Sequence, residues 1–266
     1  MMDLLLPGMY MSAESPLHRL DPRVKMGAAM LLMALPFAAP SLPSTVLLVG
    51  FVVAIALLST APVQSLVRTL GTVFWLGFFM FFFYLFTTPG RPLVSLWRIA
   101  VTWEGILAGA MQIYRLCLLV VVSALLTFTT SPAQLAHGLE AVLGPLARVG
   151  LPVRELAMVL TIALRFVPTL FNEIDKIVKA QRARGADLRS RSPWQRIRSW
   201  APTFVPIFVS AFRRADDLAR AMEARGFRGA RHRTRLYQLR LTWQDLIASL
   251  VVILVSLAVI ALERLV

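Results

Sequence analysis

The chain has 266 residues, 58% of them apolar, and a mean hydropathy of +0.70. An ordinary soluble domain is nearer half apolar with about a quarter of its residues charged, so this composition excludes one and requires contact with lipid. The net charge of +14 is concentrated: Gln134 to Arg240 holds 20 Lys and Arg against 8 Asp and Glu, a net of +12, and the positive-inside tendency assigns that segment to the cytoplasm.

The N-terminus, Met1 to Tyr10, lacks a basic n-region, and Pro7 and Gly8 interrupt its apolar stretch, so it does not read as a cleaved signal peptide. Asp21-Pro22 predicts a helix start, with Asp at the N-cap and Pro at the first helical position. Apolar runs follow over Val24 to about Pro40, Ser44 to Thr60, Leu70 to Thr87, Gly105 to Thr129 and, at the end, Leu246 to Leu262. Each is close to the roughly 20 residues that cross a ~30 Å hydrocarbon layer. The third run is dense in Phe, from Phe74 to Phe86, and reads as a lipid- or partner-facing span. Trp97, Trp103 and Trp243 fall close to span ends, where indoles prefer the interface. Five spans with the basic segment inside give an internal N-terminus, in keeping with Arg19, Arg23 and Lys25, and an external C-terminus; Arg91 and Arg98 fit this threading poorly. Gly105 and Gly109 form a GxxxG on the fourth span, a close-packing pattern that is common by chance in apolar helices. Arg115, inside that span, is an intramembrane charge and a functional candidate on that ground; packing inside the bundle or reaching toward an interface accounts for it equally well. The single Cys117 permits no disulfide framework and no cysteine metal site.

Between the fourth and fifth spans the punctuation is helical. Ser131-Pro132-Ala133-Gln134 and Ser192-Pro193-Trp194-Gln195 are capping boxes with Pro at the first helical position, and Thr242 with Asp245 repeats the pattern before the last span. Helices are expected over Ser131 to about Leu146, Pro152 to Arg184, and about Ser192 to Arg225. The last two have an apolar first half and a charged second half, with Pro168, Pro202 and Pro206 expected to bend them. Their apolar portions are expected to lie along or dip into the inner face of the membrane.

These two helices end in the same phrase, Ala183-Arg184-Gly185 and Ala224-Arg225-Gly226, 41 positions apart. Aligned on the glycines, Phe171 falls over Phe212, Asp175 over Asp216, Lys179 over Arg220 and Ala180 over Ala221. Gly suits the left-handed residue that closes a helix, and an Arg in the last turn meets the negative dipole end. One such phrase reads as an ordinary C-cap; a matched pair in one basic segment points to two Arg tips presented to a partner.

Signs of catalysis are few. The chain carries no Gly-x-x-x-x-Gly-Lys-Ser/Thr loop, no His-Glu-x-x-His and no Gly-x-Ser-x-Gly. His18, His137 and His232 are too dispersed for a shared metal, and Asp216 and Asp217, adjacent on a helix, face different directions. No enzyme activity, cofactor or metal is expected. The cluster Arg225, Arg228, Arg231, Arg233 and Arg235 resembles a patch for RNA or anionic lipid, although a solvated positive-inside flank explains it more economically.

Four stretches, in this order, carry a family resemblance: Ser15-Pro16-Leu17-His18-Arg19-Leu20-Asp21-Pro22-Arg23-Val24-Lys25, Thr129-Thr130-Ser131-Pro132, Ala163-Leu164-Arg165-Phe166-Val167-Pro168, and Ala180-Gln181-Arg182-Ala183-Arg184-Gly185 with Ala224-Arg225-Gly226. With them the chain resembles the transmembrane coupling component of energy-coupling factor transporters, the vitamin and metal-ion importers of bacterial and archaeal cell membranes. The resemblance implies an all-α polytopic fold of about five spans plus long cytoplasmic coupling helices: a four-span bundle over residues 1–130, a coupling region over 131–241 and a final span over 242–266. It implies that Ala183, Arg184 and Gly185 engage one cytoplasmic ABC-type ATPase subunit and Ala224, Arg225 and Gly226 the other. It also implies a separate small membrane protein that captures substrate, and no nucleic acid. The alternatives are a membrane-anchored binder of nucleic acid or acidic lipid, a polytopic membrane enzyme, and a permease that carries substrate itself.

Overall fold

A computed structural model describes residues 15–60, 63–96, 99–185, 193–229 and 241–265. Among them the chain forms α1 (Pro22–Ala38), α2 (Leu42–Leu58), α3 (Val63–Thr87), a hairpin of β1 (Pro92–Leu96) and β2 (Ile99–Thr102), α4 (Trp103–Thr129), α5 (Pro132–Val142), a 3-10 turn (Gly144–Val149), α6 (Val153–Ala183), α7 (Pro193–Ala224) and α8 (Trp243–Leu265). The architecture is the expected all-α polytopic one. The hairpin is an addition, an antiparallel pairing of Leu96 with Ile99 and Ser95 with Ala100 between α3 and α4. The helix expected to reach Leu146 stops at Val142, because Gly144 and Pro145 follow and the residue before a proline is driven out of helical geometry. The Ser192 capping box lies outside the described residues.

Among the described residues, four helices are long and apolar enough to cross a membrane: α3 from Gln64, α4, α6 and α8. α6 thus has the dimensions of a span although its sequence suggested an interfacial helix. α1 and α2 have 17 residues each and rise about 25 Å at 1.5 Å per residue, a few ångströms less than the hydrocarbon layer. The chain divides into two compact units, residues 1–138 with 238–266, and residues 139–237.

In the first unit the core is apolar and comes from α1, α2, α4 and α8, with Leu32, Leu48, Val122, Leu125 and Val259 buried. α3 packs along α4, and the two glycines explain how. A Cβ on Gly105 would sit 3.0 Å from the carbonyl oxygens of both Tyr84 and Leu85, and one on Gly109 would sit 2.8 Å from the Phe81 ring. The GxxxG brings the α3 backbone directly onto α4, leaving the α3 rings Phe79 and Phe83 exposed on the other side. Gly105→Ala is expected to push the helices apart and cost about 1–3 kcal/mol, read as a lower melting temperature in detergent; an unchanged melting temperature would contradict the packing.

Polar side chains tie the helix ends of this unit together. At one end Asp21 caps α1, its Oδ1 accepting from Arg23 N–H at 2.9 Å, and Asp245 joins α1 to α8. Asp245 is 2% exposed; Oδ1 accepts from Asp21 N–H at 2.7 Å and Oδ2 from Thr242 N–H at 2.7 Å. One carboxylate therefore satisfies the N–H of the residue just before each of two helices, whose positive dipole ends converge on it. The Lys25 ammonium, buried beside them, donates to the carbonyls of Thr129 at 2.9 Å and His18 at 3.2 Å, which closes the C-terminus of α4 as well. The expected capping box of α5 is formed: Ser131 N–H donates to Gln134 Oε1, and Gln134 N–H to Ser131 Oγ.

The α1–α2 corner needs the same treatment. The carbonyl of Pro36 would normally accept from the residue four positions on, but that is Pro40, which has no N–H. The Arg115 Nε–H of α4 donates to it instead, at 3.0 Å, with the guanidinium carbon 5.4 Å from the centre of the Phe37 ring. At the start of α2 the Glu263 carboxylate of α8 accepts from Ser41 N–H and Ser44 Oγ–H, both at 3.0 Å. Irregular backbone in lipid must find partners within the protein, and the two charged side chains, Arg115 and Glu263, supply them.

The second unit contains the 3-10 turn, α6 and α7. Gly150, with φ +93°, closes the turn and α6 starts three residues later. α6 and α7 touch over a much shorter stretch than α3 and α4, and an ion pair marks the contact: Arg214 Nη2 donates to Glu173 Oε2 at 3.3 Å.

Candidate functional site

Two helix ends of the second unit share one geometry. α6 has its last helical residue at Ala183 and α7 at Ala224, so the 41-residue offset of the sequence is also the offset of the ends. In α6, Arg184 N–H donates to the carbonyls of Ala180 and Gln181, both at 3.2 Å, and Gly185 N–H to that of Arg182 at 3.0 Å. In α7, Arg225 N–H donates to Ala221 and Met222, both at 3.2 Å, and Gly226 N–H to Glu223 at 2.9 Å. The correspondence is residue for residue. Gly185 and Gly226 take φ of +87° and +72°, the left-handed closure expected of them. At α7 the bond from Phe227 N–H to the Met222 carbonyl, at 3.0 Å, completes a Schellman motif.

Closure of this kind turns the backbone away at the glycine and leaves the Arg at the blunt end of the helix. Ala183, Arg184, Gly185, Ala224, Arg225 and Gly226 are all exposed, and an added Cβ at either glycine would meet nothing within 4 Å. A surface can therefore approach each tip closely. A guanidinium held there presents a planar fork that suits a carboxylate in bidentate geometry. Behind the tips, exposed Phe171 and Phe212 stand at matching positions, and on α6 Asp175 bridges Lys179 at 2.6 Å.

Arg115 stands apart from these tips, within the first unit, where its observed contacts are the Pro36 carbonyl and the Phe37 ring. Its place is the α1–α2 corner. The same unit has a half-open cavity of about 240 Å³ between α1, α2, α4 and α8, whose walls are apolar apart from Lys25, Ser59 and Thr129. Lys25 is bonded to the Thr129 carbonyl and Ser59 Oγ to the Ala56 carbonyl, so little polar capacity is left for a hydrophilic cargo. Among the described residues, no group of three or more His, Cys, Asp or Glu is placed to hold a metal ion.

The family model described as cobalt transport protein (CbiQ) matches residues 13–236, a stretch that contains both tips. The chain belongs to this family. It is 44% identical over 241 residues to the energy-coupling factor transporter transmembrane protein EcfT of Thermosediminibacter oceani, covering 91% of each chain. Its identity to the protein of the same name from Heliobacterium modesticaldum is 46% over 239 residues, 90% of each chain. With that of Listeria innocua it is 42% over 262 residues, 98% of this chain and 97% of the relative. This is therefore the transmembrane component of an energy-coupling factor transporter, a multi-pass membrane protein that works with other subunits.

Two elements of the family member escaped the sequence reading. Glu263 carries no local signal of its role, because the Ser41 and Ser44 groups it accepts from lie 222 and 219 positions away. Glu173 and Arg214 were legible in principle: they occupy equivalent positions of the 41-residue repeat and carry opposite charges.

Proposed function

We propose that this protein transmits the ATP-driven motion of two cytoplasmic ABC-type ATPase subunits to a separate small membrane protein that captures the cargo, a vitamin or a metal ion. Arg184 engages one ATPase and Arg225 the other, each as a bidentate cation at the end of a helix. Residues 131–241 form the coupling region on the cytoplasmic side of the cell membrane, and residues 1–130 and 242–266 form the bundle that holds it in the bilayer. The reading rests on the matched closure of α6 and α7, which gives one chain two copies of a single docking tip. A paired ATPase offers two like surfaces, and two like tips are what such a pair requires. The apolar cavity of the bundle supports leaving cargo recognition to another subunit.

Co-expression with two ATPase subunits and a substrate-capture membrane protein tests this. A tagged version of this chain is expected to retain both ATPases and the capture protein through detergent purification, and the reconstituted complex to take up cargo only with ATP. Recovery of this chain bound to RNA or anionic vesicles, with the ATPases absent, would favour the Arg-rich-patch alternative and contradict the proposal.

A further inference from the structure

We infer that the Glu173–Arg214 ion pair is the fulcrum on which the two coupling helices turn, an inference that rests on the coupling role proposed above. The two residues are equivalent by the repeat, 41 positions apart. When equivalent positions of two like elements touch, the contact lies on the axis relating them. A repeat that kept the same residue in both copies would place two like charges there. This chain carries Glu in one copy and Arg in the other, so the self-contact becomes an attraction.

The position along the helices fits a pivot. Glu173 lies ten residues before Ala183, and Arg214 ten residues before Ala224, so the arms from contact to tip are equal, each about 15 Å at 1.5 Å per residue. Pro168, Pro202 and Pro206, the prolines inside these helices, all lie on the far side of the contact from the tips. Both tip arms are free of prolines and therefore stiff, while the bends fall in the other arms. Those run about twenty residues, from Val153 to Glu173 and from Pro193 to Arg214, or roughly 30 Å. A displacement of the tips is thus doubled at the far ends, as far as the proline bends transmit it. Both members are partly exposed, Arg214 at 37% and Glu173 at 28%, so the pair's contribution is to position the contact between the helices rather than to hold the fold.

Spin labels at the equivalent positions Gln181→Cys and Met222→Cys, in a Cys117→Ala background, report the tip-to-tip distance by pulsed electron resonance in the assembled transporter and in this protein alone. Glu173→Arg or Arg214→Glu, each of which brings like charges together, is expected to broaden the distance distribution and to lower uptake per ATP hydrolysed while both ATPases stay bound. The double exchange, Glu173→Arg with Arg214→Glu, is expected to restore the distribution and to recover at least about threefold of the lost coupling. An unchanged distribution in the single variants, or a double exchange no better than the singles, overturns the fulcrum. ATPase capture through Arg184 and Arg225 is scored separately by co-purification, so either idea can fail without the other. Should a reversal prevent folding, Glu173→Gln with Arg214→Gln removes the attraction without adding repulsion, and it is expected to broaden the distribution; an unchanged one overturns the fulcrum equally.

Discussion

Reversing both tip charges, Arg184→Glu with Arg225→Glu, is expected to abolish retention of the ATPases and ATP-driven uptake while the protein still inserts and folds. Each guanidinium–carboxylate contact contributes on the order of 1.5–3 kcal/mol, and replacing it by like-charge opposition costs several kcal/mol more. Each tip should therefore lose at least about a hundredfold in affinity, since 1.4 kcal/mol is a factor of ten. The tips engage one ATPase pair at once, so their losses multiply rather than average. Either single reversal should already weaken retention strongly, and Arg184→Lys should fall between, because an ammonium is a point charge without the planar fork. The substitutions lie at exposed helix ends, where side-chain changes leave the fold intact. Co-purification and uptake, measured on double-reversal protein of normal yield, decide the matter; full retention would remove the tips from the mechanism.

The second large effect is on stability. Asp245→Ala is expected to lower the melting temperature of the detergent-solubilised protein steeply, because it leaves Asp21 N–H and Thr242 N–H without their acceptor and removes a negative charge that acts on the buried Lys25 ammonium. A buried polar group deprived of its partner costs about 1–3 kcal/mol, and breaking a buried charged network about 3–5 kcal/mol. At this chain length 1 kcal/mol corresponds to roughly 2–4 °C, so a fall on the order of 10 °C is expected. Asp245→Asn keeps one acceptor oxygen but turns the other atom into a donor facing an N–H, and it should recover only part of the loss. The melting temperature distinguishes a clasp from a surface cap: a fall of a degree or two, as for an exposed N-cap, would show that the α1–α8 connection carries no weight.

Much of this was legible in the chain because the signals are local. Pro after an N-cap, Ser-x-x-Gln boxes and Gly after Arg act within one helical turn, so the starts of α5, α6, α7 and α8 and the ends of α6 and α7 fall within a residue or two of the expected positions, whereas α5 stops at Val142, short of Leu146. The GxxxG at Gly105 is a pattern common by chance in apolar helices, and it is the facing α3 backbone that gives it its packing role here. Contacts between distant segments were less accessible. Nothing near Asp245 in sequence indicates that its second oxygen meets Asp21, 224 positions earlier. The role of Arg115 depends on two prolines about eighty residues away: Pro36, which offers the carbonyl, and Pro40, which cannot donate to it. The hairpin was not legible because β1 and β2 are only five and four residues long and lie in the stretch between Thr87 and Gly105, which reads as a short loop with Arg91 and Arg98. The tips occupy a middle position: their local geometry followed from Ala-Arg-Gly, whereas their meaning came from having two of them.

Cysteine cross-linking at the tips tests the central claim most directly. Ala183→Cys and Ala224→Cys, placed one residue before each Arg in a Cys117→Ala background, leave both guanidinium groups intact. In the assembled transporter each cysteine is expected to cross-link to an ATPase subunit, the two tips to different members of the pair, with yields that change when ATP is bound. If both cysteines in an active complex instead remain open to water-soluble thiol reagents and link to neither ATPase, the tips do not carry the coupling.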